Sequence, residues 1–251
     1  MPGKIIMKLC LPEGQKLISS MGSIFHGALM DMLPEEISEV LHSQNLRPYS
    51  QFVHFVRSTE EQLWEFGTLT DEIHNIFLEV LLDKETVFLK QKGYELKCSL
   101  LSSDFCTYEA MADKVFQGDK APWGVRISFS TPASFKRDEE YMLFTDTKLI
   151  MNSLLNRWRS FAPILLEEEN LAETLANCCS ISKYELRSQK FYLEGRGITG
   201  FVGCVQLGFR GNEMVRRIMG LLMLLAPYSG IGIKTALGMG AVSTELMYRE
   251  D

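Results

Sequence analysis

The hydrophobic pattern of this chain runs twice through one order of strands and helices, and that repetition is its strongest constraint on the fold. Alternation of apolar and polar residues marks strands, whereas apolar residues at a 3.6-residue period mark helices. In the first half these patterns predict strands at 4–11, 49–57, 63–70, 86–91 and 94–102, and helices at about 15–33, 34–43 and 71–82. In the second half they predict strands at 125–130, 181–193, 199–209 and from 241, and helices at about 146–161, 167–177 and 212–226.

Each half therefore reads as β-α-(α)-β-β-α-β, which is the order of the ferredoxin-like fold. A polar, Gly- and Pro-containing break at 117–122 separates the two copies. We predict an α+β protein made of tandem ferredoxin-like (RRM-like, βαββαβ) domains, one at 1–118 and one at 119–251. Two such units account for 251 residues without a long structureless loop.

The densest run of glycines lies between the last predicted helix and the last predicted strand. It reads Gly230-Ile-Gly-Ile-Lys-Thr-Ala-Leu-Gly-Met-Gly240, so that Gly230, Gly232, Gly238 and Gly240 surround Lys234. Glycine allows positive φ and a close approach to the backbone, and successive exposed N–H groups can bind an anion. The loop is therefore predicted to hold a phosphate, although a Gly-rich turn without a ligand is an open alternative.

Two common nucleotide-binding loops do not fit this segment. A P-loop requires glycine immediately before its lysine, and here Ile233 precedes Lys234. A dinucleotide fingerprint requires a third glycine where the chain has Thr235, and it follows a strand rather than a helix. A phosphate bound by this loop would therefore belong to a ligand other than those of the P-loop and the dinucleotide fingerprint.

Charge is distributed unevenly between the halves. Residues 1–118 hold 10 basic and 17 acidic side chains, and residues 119–251 hold 16 and 15. Excess positive charge in one half suggests a polyanion partner there, although solvated surface charge explains it equally well. The six cysteines lack C-x-x-C spacing, and the start of the chain does not read as a signal peptide, so we expect a cytoplasmic protein. The longest apolar run, 218–227, is too short to cross a bilayer.

Two histidines sit at the edges of the first pair of predicted helices. His26 follows the inward-facing Phe25, and His42 follows the inward-facing Leu41. If the two helices form a hairpin around Pro34, both imidazoles lie near its open ends. Such a pair can divide general base and general acid catalysis, although two partly buried structural histidines fit the spacing as well.

Other catalytic chemistries lack support in the residues. There is no G-x-S-x-G nucleophile motif, and the histidines and cysteines do not have the spacing of metal ligands. We expect no metal and no cofactor.

The order of short motifs along the chain resembles the RAMP superfamily of CRISPR-associated proteins, and within it the stand-alone endoribonuclease that processes CRISPR precursor transcripts. The resemblance covers nearly the whole chain. It rests most on the Gly-rich segment, and also on these motifs: Ile24-Phe-His-Gly-Ala-Leu29, Val40-Leu-His42, Arg47-Pro-Tyr-Ser50, Thr131-Pro-Ala-Ser-Phe-Lys136, Asn156-Arg-Trp158 and Gly200-Phe-Val-Gly203.

This resemblance implies a metal-independent cut within CRISPR repeats. The 2′-hydroxyl attacks the adjacent phosphodiester, which leaves a 2′,3′-cyclic phosphate and a 5′-hydroxyl. By position, His42 matches the family's catalytic histidine. His26 matches a partner side chain that lies one helix earlier, and Arg47 matches a basic residue that follows the catalytic histidine. Which histidine is base and which is acid stays open.

The resemblance also implies repeat RNA, as precursor or mature crRNA, as the partner. The glycines of the loop would grip its backbone, with phosphate contacts from Arg126, Lys136, Arg137, Arg157, Arg210, Arg216, Arg217 and above all Lys234. A homodimer and other subunits of a CRISPR effector complex are further candidate partners. Two alternative functions are a non-catalytic RAMP subunit that binds crRNA and a nucleotide-binding regulator.

Overall fold

A computed structural model describes residues 1–137, 140–193 and 195–249 of the chain. Its two large sheets are antiparallel, and each is built from one half of the sequence. A separate buried core lies beneath each sheet: one contains Phe25, Trp64 and Phe77, and the other contains Trp158 and Phe201.

The N-terminal half contains five strands and three helices, followed by one helix at its end. The strands are β1 (Gly3–Cys10), β2 (Tyr49–Val56), β3 (Glu61–Thr68), β4 (Thr86–Leu89) and β5 (Tyr94–Phe105). The helices are α1 (Gly22–Met32), α2 (Glu35–Ser43), α3 (Asp71–Leu81) and α4 (Tyr108–Phe116). Alternation along β1 buries Ile5, Met7 and Leu9, while the Thr70 side chain accepts a hydrogen bond from the Ile73 N–H and so begins α3.

The C-terminal half repeats this order with a small hairpin inserted after its first strand. Its strands are β6 (Gly124–Ala133), β7 (Phe135–Arg137), β8 (Glu140–Met142), β9 (Cys179–Leu193), β10 (Arg196–Phe209) and β11 (Val242–Met247). Its helices are α5 (Thr147–Phe161), α6 (Leu171–Asn177) and α7 (Glu213–Ser229). Asp146 and Asn212 cap α5 and α7 by accepting hydrogen bonds from Leu149 N–H at 2.7 Å and Val215 N–H at 2.9 Å.

The strand orders confirm the predicted fold class. The second sheet runs β11-β6-β10-β9, which is the 4-1-3-2 order of one ferredoxin-like unit. The first sheet runs β2-β3-β1-β5-β4, which is the same order with β4 added at the outer edge. The chain is therefore an α+β protein with tandem ferredoxin-like folds.

Several predicted boundaries differ from the structure. The helix predicted at 15–33 begins only at Gly22, after a short 3-10 turn at Ser19–Met21. Helix α4 and the β7–β8 hairpin were not predicted, and α7 continues beyond 226 through Pro227 to Ser229. None of these differences changes the strand order, because they affect the ends of elements and the connections between them.

The two halves meet where the end of α7 packs on the first sheet. Ser50 Oγ donates a hydrogen bond to the Tyr228 carbonyl oxygen at 2.8 Å. On the neighbouring strand Gly67 leaves room for that same carbonyl, since a Cβ at Gly67 would collide with it. Across the described part of the chain, no helix is both long and apolar enough to span a membrane.

Candidate active site

The two predicted catalytic histidines lie together at one end of the α1–α2 hairpin. The ring centroids of His26 and His42 are 6.1 Å apart. His42 is exposed near the end of α2, whereas His26 on α1 is only 6% exposed. Both line a cleft of about 520 Å³, here called the histidine cleft, whose other polar walls include Ser23, Asp31, Lys90, Gln91 and Lys234.

His26 is held in one orientation by Tyr49, the first residue of β2. The hydroxyl of Tyr49 lies 3.2 Å from His26 Nδ1. Burial, with smaller contributions from the charges of Arg47 and His42, lowers the pKa of His26 to about 3. The imidazole of His26 is therefore neutral at physiological pH. Burial also raises the pKa of Tyr49, so that its hydroxyl keeps its proton.

Arg47 closes the end of the helix that carries His42. Its Nε donates a hydrogen bond to the Leu41 carbonyl oxygen at 2.8 Å, and this carbonyl belongs to the last turn of α2. Such carbonyls lack a partner within the helix, so the guanidinium stabilises the helix end. The same residue lines a second cleft, of about 500 Å³.

This second cleft, here called the basic cleft, adjoins the first because Lys234 lines both. Its cationic walls are Arg47, Lys136, Arg157 and Lys234, and none of the described residues that line it is acidic. Burial lowers the pKa of Arg157 to about 10, which still leaves its guanidinium charged at neutral pH. The cleft is suited to a polyanion.

The Gly-rich loop does not present the cradle of free N–H groups that we predicted from its sequence. The N–H groups of Gly230, Gly232, Gly238 and Gly240 donate to Ala226 O, Ser153 Oγ, Thr235 O and Pro132 O, respectively. All four glycines are buried and have positive φ. The prediction of N–H groups open to a phosphate is therefore wrong for these four residues, and the loop instead packs into the protein.

The loop does place one cation in the clefts. Lys234 adopts a left-handed conformation, with φ 54°, at the point where the loop turns between the two halves. Arg157 fixes that turn, because its Nη2 donates to Gly232 O at 2.9 Å and to Thr235 Oγ1 at 3.2 Å. Lys234 is therefore the cation of the loop that lines both clefts.

The other predicted phosphate contacts are scattered. Lys136 lines the basic cleft, and Arg137 is exposed nearby in an ion pair with Asp146 at 2.6 Å. Arg126 lies on the open face of the second sheet beside Lys183 and Glu185. Arg126 and Arg137 line neither cleft. The same holds for Arg210, whose Nη2 contacts Ser180 Oγ, for Arg216, which is half-buried on α7, and for Arg217.

Arg217 is a structural residue in this fold rather than a surface cation. It is buried and bonds Glu213 on its own helix, as well as the carbonyl oxygens of Val115 and Gly118. With its charge directed at the boundary between the halves, it is not placed to contact RNA. The prediction of Arg217 as a phosphate contact is therefore wrong, because sequence alone does not distinguish a buried arginine from an exposed one on an amphipathic helix.

Sequence reasoning missed two residues that organise the site. One is Tyr49, which we placed at the start of a strand and in the motif Arg47-Pro-Tyr-Ser50 without giving it a role in the site. The other is Gln51, a buried side chain whose Nε2 donates both to Gly22 O at 2.8 Å and to Ala236 O at 2.9 Å. A polar residue at an inward position of a strand was the available signal, since such a group needs partners. No group of three His, Cys, Asp or Glu side chains within the described residues is arranged to hold a metal ion.

Comparison with solved structures shows which proteins share this fold. A Cas6 product complex superposes with a TM-score of 0.81 at 24% identity, covering 98% of this chain and 100% of that one. Thermus thermophilus Cas6 superposes with a TM-score of 0.73 at 20% identity, covering 98% of each chain. This chain shares the tandem ferredoxin-like fold of those proteins.

Comparison of sequences gives matches to proteins of the same name. The family described as CRISPR-associated endoribonuclease Cas6 matches residues 127–242. A CRISPR-associated endoribonuclease Cas6 from Streptococcus thermophilus is 28% identical over 225 residues, which cover 88% of this chain and 90% of the relative. One from Mycobacterium tuberculosis (strain CDC 1551 / Oshkosh) is 23% identical over 247 residues, covering 96% and 77%. In sequence, the chain is similar to CRISPR-associated endoribonucleases of the Cas6 type.

Proposed function

We propose that this endoribonuclease cleaves CRISPR precursor transcripts within their repeats, without a metal, through attack of a 2′-hydroxyl on the adjacent phosphodiester. The observation that carries the proposal is the pair of imidazoles, 6.1 Å apart, in a cleft that Lys234 also lines. The products are a 2′,3′-cyclic phosphate on one fragment and a 5′-hydroxyl on the other. The partner is the repeat RNA.

The reaction needs two proton transfers and one stabilised charge. A base removes the 2′-OH proton while the O2′–P bond forms, and an acid protonates O5′ while the P–O5′ bond breaks. Negative charge grows on the phosphorane between these steps, and a nearby cation lowers its energy. His42 is the exposed imidazole, so we assign proton transfer to His42 and charge stabilisation to Lys234.

His26 has a different role in this proposal. A group with a pKa near 3 is a poor base at neutral pH, because catalytic bases work best when their pKa lies near the working pH. If the Tyr49 hydroxyl donates to Nδ1, the neutral imidazole carries its proton on Nε2. Nε2–H then donates a hydrogen bond to the substrate in the cleft, at a phosphate oxygen or the leaving oxygen.

The two halves divide the work in this scheme. We propose that the unit at 1–118 supplies the catalytic histidines and that the unit at 119–251 supplies Lys234 and much of the grip on the backbone. Arg47 and Lys136 both line the basic cleft, and in this proposal they contact phosphates next to the cut. The contacts between α7 and the first sheet keep these groups at a fixed separation.

The test is cleavage of the CRISPR repeat encoded next to this gene, in EDTA, with analysis of the product ends. We expect one cut with a cyclic phosphate and a 5′-hydroxyl. His42→Ala should lower the single-turnover rate about 100- to 10,000-fold, the usual contribution of general acid–base catalysis, and His26→Ala should lower it less. His54→Ala is the matched control, since His54 lines neither cleft. A double variant, His26→Ala/His42→Ala, that cleaves as fast as the wild type would exclude this site.

A further inference from the structure

The basic cleft contains one feature that phosphate binding does not explain, the aromatic ring of Tyr141. Tyr141 is 49% exposed and is the one aromatic residue among the described residues that line the cleft. A tyrosine hydroxyl can donate to a phosphate, but the exposed ring also offers a flat face that a phosphate does not use. Base-stacking sites on single-stranded nucleic acids combine these two features.

The β7–β8 hairpin sets the direction of this ring. Tyr141 is the register partner of Lys136, so the two side chains project from the same face of the hairpin. Both line the basic cleft, as do Asn45 and Arg47 from the N-terminal half. The hairpin thus presents an aromatic ring and a cation side by side to the space between the halves.

The hairpin is also tied to the loop that carries Lys234. The Ser134 hydroxyl donates to Met142 O at 3.1 Å, and the Ser134 carbonyl accepts from the Ile233 N–H at 3.0 Å. Ile233 directly precedes Lys234, so the ring of Tyr141 and the cation at the junction of the two clefts are held by one network. The volume of the cleft, about 500 Å³, lies within the range of small-ligand sites, roughly 300–1,000 Å³.

We propose that the basic cleft is a subsite for one unpaired nucleotide next to the scissile phosphate, with its base stacked on Tyr141 and its phosphates held by Arg47, Lys136 and Lys234. This inference rests on the proposed function, because Lys234 marks the position of the cut. Tyr141 then selects substrates in which the nucleotide beside the cut is not base-paired. A protein partner fits the cleft less well, since four cationic side chains line it.

The test measures the affinity of repeat RNA that carries a 2′-deoxy nucleotide at the cut, so that binding is read without cleavage. Tyr141→Ala should weaken binding about 5- to 100-fold, the effect of losing one base–aromatic stack, and Tyr141→Phe should bind as the wild type does. Tyr248→Ala is the matched control, since Tyr248 is also exposed but lines neither cleft.

The RNA supplies the second arm of the experiment. Abasic nucleotides are placed one at a time on both sides of the cut. At one position, removing the base should weaken binding to the wild type as much as Tyr141→Ala weakens binding of intact RNA. At that position, removing the base should not weaken binding to Tyr141→Ala any further. The subsite would be overturned if Tyr141→Ala bound intact RNA as tightly as the wild type does. It would also be overturned if the effects of Tyr141→Ala and of base removal were independent at every position.

The outcomes separate this inference from the proposed function. Failure of the wild type to cut repeat RNA would refute the function, whereas the binding measurements would still report on Tyr141. Normal cleavage combined with unchanged binding by Tyr141→Ala would refute the subsite alone. Thermal unfolding of Tyr141→Ala should match the wild type, because the ring lies on an exposed hairpin.

Discussion

At the scale of single residues, His26 is the group whose environment most changes its chemistry. Burial and the charges of Arg47 and His42 lower its pKa from the ordinary value of 6.5 to about 3. In the unfolded chain His26 takes up a proton near pH 6.5, while in the folded protein it does not do so until near pH 3. Between these values the unfolded state binds more protons, so acidification favours unfolding.

This difference predicts how stability depends on pH. The contribution of His26 to the free energy of unfolding is fully present above pH 6.5 and is lost as the pH falls toward 3. At about 1.4 kcal/mol per pH unit, the free energy of unfolding should drop by about 2 kcal/mol between pH 6.5 and pH 5 through this residue alone. Urea unfolding of His26→Gln should show a free energy of unfolding that changes by about 2 kcal/mol less than that of the wild type between pH 6.5 and pH 5. An equal acid sensitivity in the two proteins would contradict the buried, neutral state of His26.

At the scale of elements, the Gly-rich loop shows how far sequence reasoning reaches. The density of glycines in 230–240 indicated a backbone with unusual conformations, and each of the four glycines does have positive φ. What the sequence did not show is the direction of the N–H groups, which depends on acceptors contributed by distant segments, such as Pro132 and Ser153. Local pattern thus predicts where a loop bends, while tertiary contacts decide what its polar groups bind.

The close packing of this loop can be tested with two glycine substitutions. A Cβ at Gly240 would collide with the carbonyl oxygen of Ile231, in addition to the strain of φ 65°. At Gly93, φ is 70° but no atom lies within 4 Å of the added Cβ, so only the backbone strain applies. Gly93→Ala should lower the free energy of unfolding by about 1 kcal/mol, and Gly240→Ala should lower it by clearly more. Chemical unfolding measures both changes. Equal effects would show that the loop has room to adjust.

Helix α7 contains Pro227 in its last turns, and the fold compensates for it. Proline lacks the N–H that would bond the carbonyl oxygen of Met223, four residues earlier. Thr244 of the neighbouring strand β11 donates its hydroxyl to that carbonyl at 2.8 Å. The helix therefore continues to Ser229, past the end that the apolar period predicts, because Thr244 bonds the carbonyl that Pro227 leaves without a helical donor.

Removing this hydroxyl should destabilise the protein. Thr244→Val keeps the shape of the side chain but leaves the Met223 carbonyl without its donor, a change of about 1–3 kcal/mol in the free energy of unfolding. Thr244→Ser should retain most of the stability. In a Pro227→Ala background, the restored N–H should reduce the effect of Thr244→Val. Additive effects of the two substitutions would contradict this assignment of the hydrogen bond.

At the scale of the whole molecule, the site exists only because the two halves are held in register. The repeated strand order and the pairing of His26 with His42 followed from sequence patterns within one half. The meeting of both histidines with Lys234 did not, since it depends on contacts between segments about 200 residues apart. At Gln51 the local pattern shows a polar residue at an inward strand position, but it does not show which distant groups that residue bonds.

Gln51 connects the two parts of the site through two hydrogen bonds, and a third bond fixes its own amide group. Its Nε2 donates to Gly22, one turn before His26, and to Ala236, two residues after Lys234. Its Oε1 accepts from the indole of Trp64 at 2.8 Å, and the side chain is 1% exposed. Because all its polar atoms are used, Gln51 fixes the distance between the helix that carries His26 and the loop that carries Lys234.

We therefore expect Gln51→Met to impair catalysis beyond its effect on stability. Met has similar length but cannot bond either carbonyl, so His26 and Lys234 lose their common anchor. The rate of single-turnover cleavage at saturating protein should fall about 10- to 100-fold, as displacements of about 1 Å can do. Thr68→Val is the matched control, because Thr68 is fully buried and bonds Gly3 and His74 within one half. It should lower stability while leaving the rate unchanged. If both variants lose activity only in proportion to the folded fraction, Gln51 stabilises the fold without positioning the site.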